Sequence, residues 1–172
     1  MTDVVDRRTA RLHLRSLTTA DAPVVAALQS DQRTNAHRPG GSPSREESEQ
    51  AVHEFVRGWQ EDGIGYWVVE LDAKVVGVAG VRPLQFRGRT CWNLYYRFAP
   101  EVWGMGLAVE AACEAVAVAE ALHPDWSVLA RTRPANGPAV RVAEGAGLTQ
   151  RSDLDAGGFV VLARGWQPTQ YR

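Results

Sequence analysis

Between Pro100 and Ala115 the chain reads PEVWGMGLAVEAACEA, and this segment constrains the fold more than any other. Pro100 closes a run of alternating apolar residues. Gly104 and Gly106 form a Gly-x-Gly turn, and an Ala-rich stretch of helical period follows at once. A strand that turns so tightly into a helix is the first half of a β–α crossover, which requires a sheet with a helix laid on its face. The glycines carry no Cβ, so a ligand can approach the backbone closely. First-turn amides near Met105 to Ala108 have no intrahelical acceptor and lie at the positive end of the helix dipole. Such a turn suits an anion, a pyrophosphate above all, although Gly-x-Gly alone also serves as a plain packing turn. It is not a Rossmann fingerprint, because Val109 stands where a third glycine would fall. Nor is it a P-loop, since no Gly-Lys-Ser/Thr occurs in the chain.

The helix that begins here is predicted over Gly104 to Leu122. Its polar residues Glu110, Glu114 and Glu120 fall within a stripe about 120° wide, so most of its surface is expected to be buried. Upstream, Ala10 to Leu17 alternates as a half-buried strand. Thr18, Thr19 and Asp21 offer caps and Pro23 a first turn, for a helix whose inner face is Val24, Val25 and Leu28. RTNAHRPGGSPS, residues 33–44, reads as a mobile loop beside a site. Ser44 and Glu47 have capping-box spacing for a second helix with Ala51, Val52, Phe55, Val56 and Trp59 inward, ended by Gly63 and Gly65. YWVVEL and VVGVAGVRPL form a hairpin about Asp72–Ala73, and Trp92 to Phe98 alternates as a further strand. Strand Trp126 to Thr132, helix Gly137 to Ala146 and strand Gly158 to Arg164 complete the order β-α-α-β-β-β-α-β-α-β, with room for one more strand. The class is α+β (α/β three-layer): a mixed, mostly antiparallel sheet with one βαβ crossover and helices on both faces.

At 172 residues the chain matches one domain spanning 1–172, with a radius of gyration of about 16 Å. Nineteen Lys and Arg against twenty Asp and Glu leave a net charge of −1, which argues against binding nucleic acid through charge. No apolar run reaches membrane-spanning length and the charged N-terminus is no signal peptide, so no membrane partner is expected. Two cysteines, Cys91 and Cys113, are too few for a disulfide scaffold or a structural zinc site. The expected setting is the reducing cytoplasm, with no metal, and Cys113 is expected to be a small core residue.

A second strand–turn–helix segment, ARTRPANGPAVRVAEGAGL, spans Ala130 to Leu148. Asn136 stands at its turn, where an N-cap side chain can also face a ligand amide. Together the two segments resemble the GNAT superfamily of N-acetyltransferases, in its RimJ/RimL-like branch. Tyr96, Phe98, Pro100, Trp103, Gly104, Gly106, Leu107, Ala108, Glu110 and Ala111 match the coenzyme A loop of that branch in register. Pro134, Asn136, Arg141, Val142, Glu144 and Gly147 match its later motif, and the likeness runs from about Thr9 to Arg164.

The resemblance implies a GNAT-like sheet splayed between the fourth and fifth predicted strands, with acetyl-CoA in the gap as co-substrate. The pyrophosphate would rest on the amides of Trp103, Gly104, Met105, Gly106, Leu107 and Ala108. The pantetheine would pair with the strand at Phe98 and Ala99, and Asn136 would reach it from the other side. An amine, on a small molecule or a protein N-terminus, would enter from the side of the first two helices and attack the thioester directly. The attack would pass through a tetrahedral intermediate whose oxyanion a backbone N–H holds. A homodimer is a further family-level expectation.

Three departures bear on the chemistry. Glu101 stands where the superfamily usually has Gln or Arg, so its carboxylate is expected to face solvent. Ala139 replaces a Ser placed to assist the leaving thiolate, and Arg151 stands where some relatives have an acid. Tyr95 and Tyr96 alternate faces, so one should be core and the other could line the cleft as a general acid. Asn136 and Tyr96 are the candidate catalytic residues, and His37 and Tyr95 are candidates for contacting the acceptor. Asp153, close behind the second motif, reads either as an acid or as a surface turn residue. A non-catalytic acyl-CoA-binding module of the same fold is the alternative, separable by thiol release from acetyl-CoA with a panel of amines.

Overall fold

The computed structural model describes residues 4–167. In chain order its elements are β1 (Asp6–Arg8), β2 (His13–Ser16), α1 (Ala22–Ser30), α2 (Arg45–Asp62), β3 (Tyr66–Leu71), β4 (Lys74–Phe86) and β5 (Arg89–Phe98). There follow α3 (Leu107–Leu122), β6 (Val128–Thr132), α4 (Gly137–Gly145), β7 (Thr149–Gln150) and β8 (Val160–Arg164). The strands form one sheet in the order β1-β2-β3-β4-β5-β6-β8-β7, antiparallel everywhere except at β5–β6. That parallel pair closes the β5–α3–β6 crossover anticipated from the Gly-x-Gly segment.

One apolar cluster lies under α3 and α4, where Ala111, Ala112, Ala115 and Val118 meet Trp67, Ala79, Val81, Leu94 and Phe98. Another lies under α1 and α2, where Val25, Leu28 and Val52 meet Tyr66, Val68 and Val78. The sheet is thus covered on both faces. The capping box of α2 forms as expected: the Glu47 N–H donates to the Ser44 hydroxyl, and the Ser44 N–H donates to the Glu47 carboxylate at 2.6 Å. Gly63, in the left-handed conformation, terminates that helix.

Several expectations change. The short strand β1 was not foreseen, and the splay consequently falls between the fifth and sixth strands. Helix α3 starts at Leu107 because Gly104 and Gly106 both have positive φ. Strand β6 starts at Val128, since the Trp126 N–H still donates to the His123 carbonyl. Val24 is exposed, and the inner face of α1 is Val25, Ala26, Leu28 and Gln29. The glutamate stripe of α3 does not mark its solvent side. Arg7 pairs with Glu114 and Arg11 with Glu110, so the N-terminal segment covers that stripe, while Cys113 is exposed rather than core.

The entry to α1 is held by a charge cluster. Both nitrogens of the Arg15 fork donate to the buried Asp21 carboxylate, at 2.7 and 2.9 Å, and Arg15 Nε donates to Glu70. Thr18 gives Asp21 its backbone N–H and its hydroxyl. Burial works against the Asp21 charge, but Arg15 and Thr18 outweigh it and hold the carboxyl below its ordinary value of 3.8. Its contribution is therefore whole above pH 3.8 and is lost as the pH falls through the folded-state value. Asp21→Ala leaves a partly buried guanidinium short of a partner. It should cost about 3 kcal/mol and lower Tm by roughly 6–12 °C, as thermal unfolding at pH 7 would measure; an unchanged Tm would remove this cluster from the account.

Candidate active site

Strands β5 and β6 are in register only at Trp92↔Val128 and Asn93↔Leu129, and the Trp92 N–H donates to the Ser127 carbonyl just before them. Beyond Asn93 the two strands part. The gap is a cleft of about 630 Å³ between the end of β5, the loop before α3, and the start of α4. Tyr96 and Phe98 line one wall, Gly104, Gly106, Leu107 and Ala108 the floor of the loop, and Asn136 and Ala139 the opposite wall. Arg33, His37, Arg97 and Arg141 also line it, with no Asp or Glu among them. The cleft is thus positive as well as partly apolar.

The loop has the form needed to receive a phosphate. The first intrahelical bond of α3 runs from the Glu110 N–H to the Gly106 carbonyl, so the amides of Leu107, Ala108 and Val109 remain unbonded. Gly104 and Gly106 have φ of +80° and +76°. A Cβ at Gly104 would meet nothing within 4 Å, so that face of the turn is open space. These features fit the diphosphate of coenzyme A: free N–H groups, a positive helix end, and no side chain in the way.

Arg11 is the functional residue missed in the sequence. Its Nη1 donates to the Met105 carbonyl at 2.7 Å, and its Nε and backbone N–H donate to Glu110 at 2.7 and 2.9 Å. One guanidinium therefore ties the loop to the helix it opens. Burial pushes the Glu110 carboxyl upward, but Thr9 and Arg11 overcome this and hold it below its usual range. Arg11 reads in the sequence only as the polar side of a strand, and its partner lies 99 residues away.

The two tyrosines separate as alternation requires. Tyr96 lines the cleft, but its hydroxyl donates to the Ala139 carbonyl at 2.5 Å. Burial raises its phenol well above the ordinary value, which makes it a poor proton donor as it stands. Tyr95 points to the other face, stacks on Tyr66 with ring centres 4.8 Å apart, and bonds Gln29 and Arg97. It does not line the cleft, against the expectation of an acceptor contact there. His37 does line the cleft.

The edge of β5 also differs from expectation. The Ala99 N–H donates to the Val76 carbonyl, so that amide faces β4 and is not offered to a ligand. By antiparallel alternation the N–H and carbonyl of Phe98 face the gap. The Phe98 carbonyl is already taken by the Trp103 indole N–H at 2.9 Å, while the indole ring is 54% exposed. Met105 contributes its carbonyl to Arg11 and its side chain to solvent. Asn136 caps α4 through Oδ1, which accepts from the Ala139 N–H at 3.3 Å, and its Nδ2 makes no bond within the described residues. Glu101 does face solvent, and Arg33 neutralises it at 2.8 Å. The 33–44 loop is pinned where it begins: Arg97 donates to Thr34 and Asn35, and Asn35 is buried. Asp153 pairs with Arg151 in an exposed turn, away from the cleft.

Comparison with known proteins settles the family. Residues 11–149 match the family model of the acetyltransferase (GNAT) domain. The chain belongs to the GNAT acetyltransferase family. No curated protein matches it. Among solved structures, an acetyltransferase from Agrobacterium tumefaciens superposes with a TM-score of 0.81 at 21% identity, covering 95% of this chain and 96% of that one. RimL, the ribosomal L7/L12 alpha-N-protein acetyltransferase, in complex with coenzyme A, gives 0.71 at 16% identity, covering 91% and 94%. The microcin C7 self-immunity acetyltransferase MccE, in complex with acetyl-CoA and AMP, gives 0.70 at 11% identity, covering 95% and 97%. This GNAT protein is therefore an acetyltransferase with the expected splayed sheet, and acetyl-CoA is its co-substrate.

Gly106→Val tests the loop directly. A branched residue at φ +76° strains the turn by about 1–2 kcal/mol, which the domain should survive. A Cβ there would stand 3.6 Å from the Arg11 guanidinium, so the branched side chain would crowd the clamp that holds the loop, and acetyl-CoA affinity should fall more than tenfold by calorimetry. Undiminished affinity in a folded variant would place the diphosphate elsewhere.

Proposed function

We propose that this protein moves the acetyl group of acetyl-CoA to a primary amine, on a small molecule or a protein N-terminus. The observation that carries the reading is the cleft where β5 and β6 part, with unbonded α3 amides on one side and the free Asn136 amide on the other. Acetyl-CoA supplies an acyl group already activated as a thioester. The protein's own part is to hold that donor, admit the amine, and keep water out.

The diphosphate is assigned to the amides of Leu107 to Val109, and the Phe98 N–H and Asn136 Nδ2 are the groups left to orient the pantetheine arm. The Trp103 indole N–H occupies one lone pair of the Phe98 carbonyl, which leaves the other for a ligand donor. A side-chain proton shuttle is not required. Arg97 and Arg141, which form no ion pair among the described residues, line the cleft, and nearby positive charge disfavours an ammonium and favours the neutral amine that must attack. With Ala139 in place of a hydroxyl and the Tyr96 proton engaged, thiolate departure relies on positioning and on the positive field of the cleft.

Thiol release from acetyl-CoA across a panel of amines tests this function. The rate should rise with pH along the deprotonation of the amine, instead of tracing a bell set by two enzyme groups. Tight acetyl-CoA binding with no transfer to any amine would leave an acyl-CoA-binding module.

Asn136 can be separated from its cap. Asn136→Asp keeps the acceptor for the Ala139 N–H but removes the amide donor, whereas Asn136→Ala removes both. Asp should recover the roughly 1 kcal/mol that Ala loses, while transfer stays at least tenfold below wild type in both. If Asp recovered activity along with stability, Asn136 would be a cap and nothing more.

A further inference from the structure

A second cavity, of about 310 Å³, opens from the cleft; Thr34, His37, Arg97 and Asn136 line both. Its remaining walls include Arg38, Arg131 and Arg133, again with no Asp or Glu. Several guanidinium groups elsewhere in the protein pair with carboxylates, as Arg11, Arg15, Arg33 and Arg164 do. None of the four around this cavity forms an ion pair among the described residues. Arg97 donates to neutral oxygens of Tyr95, Gln29, Thr34 and Asn35. Arg133 donates to the Gly157 and Gly158 carbonyls and lies 3.9 Å over the Phe159 ring. Arg38 lies close enough to Glu47 to favour its charge but forms no ion pair with it. Arg131 is exposed, lies 5.9 Å from the centre of the Phe86 ring, and makes no hydrogen bond within the described residues.

The concentration of charge extends below the cavity. Arg82 has a buried Nε with no partner, and both Arg82 and Arg131 lie close enough to act on the buried Tyr66 hydroxyl. Gathering like charges without counter-charges is unfavourable in the free protein, and an anion placed among them relieves it. None of the α3-loop residues that line the cleft lines this cavity, and its charged groups are guanidinium side chains, not backbone amides. It opens on the Asn136 and His37 side of the cleft, next to the place assigned above to the end of the donor's pantetheine arm.

We propose that this cavity binds an anionic group of the acceptor, a carboxylate or a phosphate, so that the preferred amine carries a negative charge a few bonds from its nitrogen. The inference rests on the reading of the protein as an amine acetyltransferase. Two matched pairs of acceptors test it: the dipeptide amides Asp-Phe against Asn-Phe, and phosphoserine-Phe against Ser-Phe. In each pair the acid should have the higher kcat/KM by about tenfold or more, the scale of one charge-assisted hydrogen bond. Whichever acid leads identifies carboxylate or phosphate as the natural group. Arg131→Gln, which loses only a 5.9 Å contact with the Phe86 ring and no hydrogen bond within the described residues, should lower kcat/KM for the acids about tenfold more than for the amides, and Arg131→Glu should reverse the preference. Equal or lower rates for the acids, or a preference that survives both variants, would overturn the proposal.

A binding arm keeps the inference separate from the activity. O-phosphoserine and aspartate are titrated by calorimetry into protein saturated with coenzyme A, so that the diphosphate loop is already filled. Saturable binding that weakens with Arg131→Gln supports the anion site even if no amine is acetylated, in which case the transferase reading alone fails. Absence of binding by both probes overturns the anion site even if transfer is found.

Discussion

The parallel pairing of β5 with β6 lasts for two residue pairs and then stops, and the rest of the protein is arranged around that break. A continuous sheet would leave no gap, and the α3 loop would face a packed strand. Because β6 diverges, the Phe98 backbone and the start of α4 face each other across open space. Each flank of the gap is secured separately. On one side β4 and β5 pair over ten residues from Gly77↔Phe98 to Phe86↔Arg89. On the other, β6 is secured by β8 along its length. Two rigid edges then hold a cleft that neither could form alone.

The loop before α3 depends on a more distant contact. Arg11 stands between β1 and β2, at the far edge of the sheet order, yet its guanidinium bridges Met105 and Glu110. The N-terminal strands therefore do more than extend the sheet. They clamp the helix whose free amides define the anion site, and Arg7 with Glu114 repeats the clamp one turn further along. Burying Glu110 against Thr9 and Arg11 fixes the direction of the loop without placing any side chain in front of it.

The sequence shows directly what rests on local chemistry. The Gly-x-Gly turn, the Ser44–Glu47 box, the Asp72–Ala73 hairpin and the alternation of Tyr95 and Tyr96 each depend on residues a few positions apart. The crossover and the splay follow once those elements are ordered. Contacts between charges far apart in the chain are not visible in this way. Arg33 and Glu101 are 68 residues apart and Arg11 and Glu110 are 99 apart, and one sequence holds no signal that joins them. The exposure of Cys113 was misread for the same reason: the glutamates suggested a solvent face that the N-terminal segment in fact covers. Trp103 shows a subtler limit, since a side chain satisfying a backbone acceptor five residues earlier leaves no periodic trace.

The bond between Trp103 and Phe98 also bears on how the protein survives without its donor. A β-strand with one side open presents unpaired backbone groups, and another chain's strand can add to such an edge. Where β5 leaves β6, this protein carries such an edge in its interior, at the mouth of its cleft. The Trp103 indole takes the Phe98 carbonyl and sets an aromatic ring across the opening, so a passing strand finds one acceptor occupied and its approach obstructed. The indole that borders the cleft thus also shields an open strand edge of the empty protein from a second chain.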